Sequence, residues 1–168
     1  MKKIVSFFIF TIFILACEKD DICADGTPTT PRLIVKFYDA TMPDETKTVA
    51  NLAVYGLNDQ NQAVFFDNIT NTDSLAVPLR TDTNVTQLVF HKDITDLSDL
   101  LVGNPDNVSI SYNHEDKYVS RACGYKTIFE LLSINIVTDT DNWILNAEIN
   151  IDNSTIENEQ AAHIKVFH

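Results

Sequence analysis

The chain has 168 residues, of which 24 are acidic and 12 basic, so its formal net charge is −12, and it contains three cysteines and four glycines. Binding to nucleic acid requires a basic surface that displaces counterions from phosphates, whereas the basic residues after position 16 are scattered singly. The composition therefore argues against nucleic acid as a partner, and the acidic excess predicts repulsion from anionic lipid headgroups.

Residues 1–16 have the features of a secretory signal peptide. Two lysines precede the uncharged apolar stretch Ile4–Ala16, which is well short of the ~20 residues that a membrane-spanning helix needs. Ile14-Leu15-Ala16 followed by Cys17 resembles a bacterial lipobox, at which the chain is cut and the new N-terminal cysteine is acylated. We therefore predict that Cys17 is lipidated and anchors the protein to a membrane. An ordinary signal peptide followed by an unrelated cysteine is the alternative.

Residues 17–32 are predicted to form a lipidated tether that begins with charged residues. Lys19, Asp20 and Asp21 fall at the spacing of the surface-export tag of Bacteroidota lipoproteins, in which the cysteine is followed by any residue, a lysine and two acids. This resemblance implies an outer-membrane lipoprotein displayed on the cell surface. Retention on the periplasmic face, with a merely solvated tether, is the alternative.

With Cys17 assigned to lipid, Cys23 and Cys123 remain as a pair in an oxidising compartment, where disulfides form and persist. A bridge between them would close a loop of about 100 residues and join the tether to the domain, for which the chain-entropy model gives roughly 4.7 kcal/mol. The alternative for Cys123 is a small buried apolar residue. A nucleophilic thiol is disfavoured because no histidine has a local arrangement with it that would favour the thiolate.

From residue 33 onward the apolar pattern has the two-residue period of strands that bury one face. The clearest sets are Leu33, Val35 and Phe37; Leu52 and Val54; Val108, Ile110 and Tyr112; Leu132, Ile134 and Ile136; and Trp143, Leu145, Ala147, Ile149 and Ile151. The last two sets flank the predicted turn Asp139–Asn142, which indicates an antiparallel hairpin. Shorter candidates are Val64–Phe66, Leu75–Leu79, Gln87–His91, Tyr118–Ser120 and Ile164–Phe167.

About nine or ten short strands separated by turn signals predict a single antiparallel β-sandwich, immunoglobulin-like or transthyretin-like, over residues 33–168. Only Asp93–Leu101 has apolar residues at helical spacing, so at most one short helix is expected. With few glycines, the turns must use the 15 Asn and 17 Asp residues, which tolerate the left-handed conformation. Much of the acidity is thereby explained without a ligand.

Two oxygen-rich clusters are better explained as turns than as metal sites. Asp139–Asn142 lacks the central glycine and distal glutamate of a calcium loop. Asn113–Asp116 places a histidine beside two carboxylates, but it lies between two short predicted strands, and no zinc spacing occurs. Because there is no nucleophile elbow and paired carboxylates are uninformative among so many acids, we predict no catalytic residue, metal ligand or cofactor.

Three further positions lie near the ends of predicted strands. Arg80 and Arg121 are expected to fix corners by forked hydrogen bonds, which is commoner for such arginines than holding a ligand. Asp73-Ser74-Leu75 matches the short acceptor pattern for O-glycosylation of exported Bacteroidota proteins. Ser74 is therefore a candidate modification site.

A group of stretches spread over nearly the whole mature chain carries a resemblance: Cys17–Asp21, Cys23, Thr27–Leu33, Phe37–Asp39, Pro78–Thr83, Val119–Tyr125, Ile128-Phe129, Asn142-Trp143, Ile156–Asn158 and His163–Lys165. Together they resemble an uncharacterised family of Bacteroidota lipoproteins that is known as a domain of unknown function. The resemblance implies a single lipid-anchored domain. It implies no catalytic or binding residue.

We therefore expect a non-enzymatic binding or accessory module that is attached to the membrane by lipid and has other outer-membrane or surface proteins as partners. Its contact patch should be apolar or aromatic, and Tyr38, Tyr55, Phe65 and Phe66 are the first candidates. The alternative is a small exported hydrolase or carbohydrate-acting enzyme, which needs a pocket with converging carboxylates or a histidine.

Overall fold

The computed structural model describes residues 22–27, 29–58, 60 and 62–168. The predicted signal peptide, and with it the predictions on Cys17, Lys19, Asp20 and Asp21, lie outside these residues. Eleven strands are formed in the described part of the chain: β1 Leu33–Tyr38, β2 Val49–Leu57, β3 Ala63–Phe65, β4 Thr70–Thr72, β5 Ser74–Val77, β6 Val85–Lys92, β7 Asn104–Ser120, β8 Gly124–Ile136, β9 Asn146–Ile149, β10 Thr155–Ile156 and β11 Ile164–Phe167. A single 3₁₀ turn, Ile151–Asn153, is the only helical element there.

The strands form two packed sheets, which confirms the predicted all-β sandwich. The smaller sheet has the order β5-β1-β11-β9, and the larger has the order β10-β8-β7-β6-β2-β3, with β4 beside β2. All pairs are antiparallel except β1 and β11, which run parallel. The first and last strands are therefore neighbours in the middle of the smaller sheet.

The core lies between the two sheets. The predicted alternation is confirmed for β1 and β7, whereas β2 is buried on both faces because Ala53 and Tyr55 are buried as well. Leu33, Val35 and Phe37 of β1 are buried in it, as are Leu52 and Val54 of β2. Val108, Ile110 and Tyr112 of β7 complete the opposite wall. Each fully buried large apolar side chain contributes about 1.5–3 kcal/mol, so this face is what fixes the register of the strands.

The two short strands predicted at Val108–Tyr112 and Tyr118–Ser120 are one continuous strand, β7, so the turn expected between them at Asn113–Asp116 is wrong. These residues lie inside the 17-residue strand β7, where Asn113 is opposite Glu130 and Asp116 is opposite Thr127. The hydroxyl of Thr127 donates to Asp116 Oδ1 at 2.8 Å. A cross-strand partner thus satisfies the carboxylate that would otherwise favour a turn.

The predicted hairpin between Leu132–Ile136 and Trp143–Ile151 is also wrong. β8 belongs to the larger sheet, whereas β9 belongs to the smaller one and pairs with β11. Trp143 and its neighbour Ile144 are both buried, while Leu145 and Ile151 are exposed, so the two-residue period is broken at the start of this stretch.

A buried carboxylate explains why the chain crosses between the sheets here. Asp106 is fully buried on β7, and its Oδ2 accepts the backbone N–H of Ile144 at 2.8 Å. The indole N–H of Trp143 donates to the carbonyl of Phe90 at 3.2 Å. Both side chains are therefore held in the core, and burial raises the pKa of Asp106. The turn predicted at Asp139–Asn142 is present within this crossing, where Asn142 Oδ1 accepts the N–H of Asp139 at 2.8 Å.

The segment Asp93–Leu101 forms turns and no helix. Asp96 Oδ1 accepts the N–H and the hydroxyl of Ser98, the local arrangement by which Asp competes with helix formation. Ile94 is fully buried, whereas Leu101 is 97% exposed. The apolar residues of this segment therefore do not form one buried helical stripe.

Candidate ligand-binding cleft

A cleft of about 680 Å³ opens beside the core on the larger sheet. Its described lining comes from the ends of β2 and β3, from β6 and the start of β7, from Val137 after β8, and from the segment 78–83 between β5 and β6. No described residue of β1, β9 or β11 contributes to it. The described lining therefore lies on the larger sheet, on residues that directly follow its strands and on the segment that joins β5 to β6.

The lining is mostly apolar. It includes Leu57, Val64, Phe66, Pro78, Leu79, Val85, Leu88, Val89, Val108 and Val137. Four of these side chains are between 41% and 52% exposed, namely Leu57, Val64, Val85 and Val137. Several exposed apolar side chains around one concavity are typical of a binding site, whereas single ones on a surface are ordinary.

Gly56 of β2 opens part of the cleft because it has no side chain. A Cβ atom placed there would lie 3.5 Å from Phe66 Cζ and 3.7 Å from the carbonyl oxygen of Gln87, which is ordinary van der Waals contact. A larger side chain at position 56 would extend beyond that contact into the lining. Neither backbone strain nor a lack of room for a Cβ atom therefore requires glycine here, and its effect is to leave this part of the cleft open.

A buried hydrogen-bond network fixes one wall of the cleft. The hydroxyl of Tyr112 donates to the carbonyl of Arg80 at 2.8 Å and lies 2.6 Å from Thr86 Oγ1. Thr86 Oγ1 also accepts the backbone N–H of Arg80 at 3.0 Å. Two side chains of the larger sheet therefore hold both backbone groups of Arg80. Burial raises the pKa of Tyr112, so the hydroxyl stays protonated as this network requires.

The side chain of Arg80 fixes the corner that follows, as predicted. Its Nε and Nη2 donate to the two carboxylate oxygens of Asp82 at 2.9 and 2.6 Å. This fork lowers the pKa of Asp82 to about 2, with the hydrogen bonds from Arg80 as the main cause. Thr83 then turns the chain by donating its hydroxyl to the carbonyl of Val85 at 2.7 Å.

The cleft has the shape and apolar lining of a ligand site, but its described residues offer little acid–base chemistry. None of the described lining residues carries a carboxylate, an imidazole or a thiol. Across the described ranges of the chain, no group of three or more His, Cys, Asp or Glu side chains is arranged to hold a metal ion. The polar groups in the lining are hydroxyls, amides and the guanidinium of Arg80, which is paired with Asp82. Groups of these kinds serve in ligand sites to orient a ligand and do not by themselves activate a nucleophile.

The predicted disulfide joins Cys23 to Cys123, with their Cα atoms 4.9 Å apart. Arg121 lies in the same turn between β7 and β8, away from the cleft.

Ser74 is the first residue of the edge strand β5 and is half-buried, with its backbone N–H and carbonyl bonded to the hydroxyl of Thr72.

Of the four aromatic side chains expected in a contact patch, Phe66 alone is among the described residues that line the cleft. Tyr55 is buried with its ring centroid 4.9 Å from that of Phe65, and Tyr38 packs on Phe167. The sequence reasoning missed Gly56, although a glycine within an apolar strand can signal close packing. Thr86 carried no local signal, because its partner Tyr112 is 26 residues away.

A family model described as "Family of unknown function (DUF6452)" matches residues 51–168. No curated protein matches the chain significantly, and neither does any solved structure. The matched range contains every described lining residue of the cleft. Within the described residues, no helix has the length and apolar character to cross a membrane.

Proposed function

The chain belongs to this family of unknown function, DUF6452, and we propose that it is a non-enzymatic binding module, a Bacteroidota lipoprotein anchored to the outer membrane through Cys17 and displayed on the cell surface. Its binding site is the cleft, which receives an apolar group of a partner molecule. The observation that carries the proposal is a concavity of about 680 Å³ with a mostly apolar lining and a wall fixed by buried hydrogen bonds. Ligand pockets in proteins are roughly 300–1,000 Å³ and have this composition.

The anchor is supported by the sequence at the signal peptide's end. The lipobox-like residues before Cys17 and the Cys-x-Lys-Asp-Asp spacing after it fit acylation followed by surface export. Acylation of one cysteine with more than one chain gives stable anchoring, because each buried methylene contributes about 0.8 kcal/mol.

Binding is better supported than hydrolysis. A glycosidase needs two carboxyl groups roughly 5–9.5 Å apart facing the substrate, and a nucleophilic hydrolase needs a base that orients its nucleophile. The described lining of the cleft has neither arrangement. The hydroxyl of Thr86, in this lining, is already engaged with the Tyr112 hydroxyl and with the backbone N–H of Arg80.

The proposal is tested by titrating the protein with the fluorescent probe 1-anilinonaphthalene-8-sulfonate, an anion whose aromatic rings bind apolar sites. We expect saturable binding to the native chain and its loss in Gly56→Ile, because the added side chain occupies the cleft. Ser133→Ile, at an exposed position of β8, is the matched control and should bind as the native chain does. If the probe does not bind saturably, or binds equally well to Gly56→Ile, the cleft is not the binding site.

A further inference from the structure

The end of the β7–β8 hairpin, residues 117–126, is an exposed aromatic projection, and we call it the hairpin tip. The last core residues on its two strands are Tyr112 and Phe129, so the tip extends beyond the core. Tyr118 is 60% exposed and Tyr125 is 68% exposed, and their ring centroids are 5.5 Å apart. Two large aromatic side chains thus meet each other at the surface instead of packing on the domain.

The disulfide brings the N-terminal tether to this tip. Cys123 lies in its turn, and Cys23 is bonded to it. Ile22, directly before Cys23, is 81% exposed. The six residue steps from Cys17 to Cys23 span at most about 20 Å even when fully extended. A lipid anchor at Cys17 therefore keeps the hairpin tip within that distance of the bilayer.

The charge of the tip is opposite to that of the chain. Residues 117–126 contain Lys117, Arg121 and Lys126 and no acidic residue, in a protein with a net charge of −12. Lys117 Nζ pairs with Glu157 at 3.1 Å, and Lys126 Nζ donates to the carbonyl of the same residue. The ten residues of the tip are therefore basic by themselves. Acidic residues adjoin them, namely Glu157, Glu115 and Asp116 on β7, and Asp25 just after Cys23.

Resting on the proposed anchor at Cys17, we propose that the hairpin tip is a second membrane contact. Tyr118, Tyr125 and Ile22 enter the boundary between headgroups and acyl chains, where tyrosine is favoured because its ring is apolar and its hydroxyl polar. Arg121 and Lys126 meet anionic headgroups. These basic side chains oppose, at this end, the repulsion from anionic lipid that is expected of the whole chain.

This contact orients the domain and directs the cleft away from the bilayer. The cleft is lined by β7 at Asn107–Ser109, whereas the tip is at the other end of the same strand. A strand rises about 3.3 Å per residue, so the 12 steps from Val108 to Ser120 correspond to about 40 Å. The lipid, the disulfide and the tip then hold the binding site outward, toward a partner.

The test uses the full processed chain in phosphatidylglycerol–phosphatidylcholine vesicles that contain brominated lipid. Tyr118→Trp places a fluorescent probe at the tip, and Leu101→Trp is the control, since Leu101 is 97% exposed and lies before β7, at the opposite end of that strand. The native Trp143 is buried and common to both variants. We expect a blue shift and a loss of intensity for Tyr118→Trp, and neither for Leu101→Trp.

Flotation of the same samples separates the two proposals. A chain that does not float with the vesicles has no anchor, which overturns both the proposed function and the tip contact. If the chain floats but Tyr118→Trp is not quenched, or is quenched no more than Leu101→Trp, the tip contact alone is overturned. If the emission of Tyr118→Trp shifts only in intact cell envelopes, the tip contacts a protein partner, and the proposed membrane contact is overturned.

Discussion

Removal of the Tyr112 hydroxyl should destabilise the domain measurably. In Tyr112→Phe, the carbonyl of Arg80 loses its donor at 2.8 Å and Thr86 Oγ1 loses its neighbour at 2.6 Å. Leaving a buried polar group unsatisfied costs about 1–3 kcal/mol. For a chain of this size each kcal/mol lowers Tm by about 2–4 °C, so the expected shift is about 2–12 °C.

Urea unfolding, followed by the fluorescence of Trp143 and by circular dichroism, measures this change in the free energy of unfolding. Tyr125→Phe is the matched control, because Tyr125 is largely exposed. It should stay within about 0.5 kcal/mol of the native chain. If Tyr112→Phe is as stable as Tyr125→Phe, the network does not hold the segment that lines the cleft. Because the same network holds the cleft wall, Tyr112→Phe should also bind the anilinonaphthalene probe more weakly.

Three other predictions concern the anchor, the pH dependence and the disulfide. Cys17→Ala should abolish metabolic labelling with palmitate and retention in the membrane fraction; unchanged labelling would contradict lipidation at Cys17. His163 Nδ1 accepts the N–H of Ile34 at 2.9 Å, and burial lowers the pKa of His163. Below a pH of about 6.5 the imidazole therefore gains a proton in the unfolded chain before it does so in the folded one, and the free energy of unfolding should fall as the pH drops. His163→Asn, which keeps an acceptor but does not titrate, should weaken this dependence in urea titrations from pH 7 to about 5, and an unchanged slope would refute that role. Replacing both Cys23 and Cys123 by serine should lower the free energy of unfolding by up to about 4.7 kcal/mol, since the loop spans 100 residues; a loss below about 1 kcal/mol would mean that the tether does not constrain the unfolded chain.

The strands could be predicted where the signal is local. The alternation of Leu33, Val35 and Phe37 needs only neighbouring residues, and the structure buries all three. Partner choice is not local. β1 and β11 pair although Val35 and Ile164 are 129 residues apart, and no pattern within either strand specifies that neighbour.

Two of the failures share a physical cause, which is a polar side chain whose partner lies on another part of the chain. Asp116 looks like a turn residue until Thr127 is placed opposite it. Trp143 continues an alternating pattern until Asp106 captures the N–H of Ile144 and fixes the crossing to the other sheet. The cleft depends on such pairs as well, so its residues could not be assembled from periodicity alone.

The central claim, that the cleft receives an apolar group, is tested most directly by methyl NMR during titration with the anilinonaphthalene probe. We predict saturable shifts for the methyl groups of Val64, Val85 and Leu88, which line the cleft. The methyl groups of Leu132, which is exposed on β8, should not move. Shifts confined to Leu132 or to the exposed Leu101, with the cleft methyl groups unchanged, would contradict the claim.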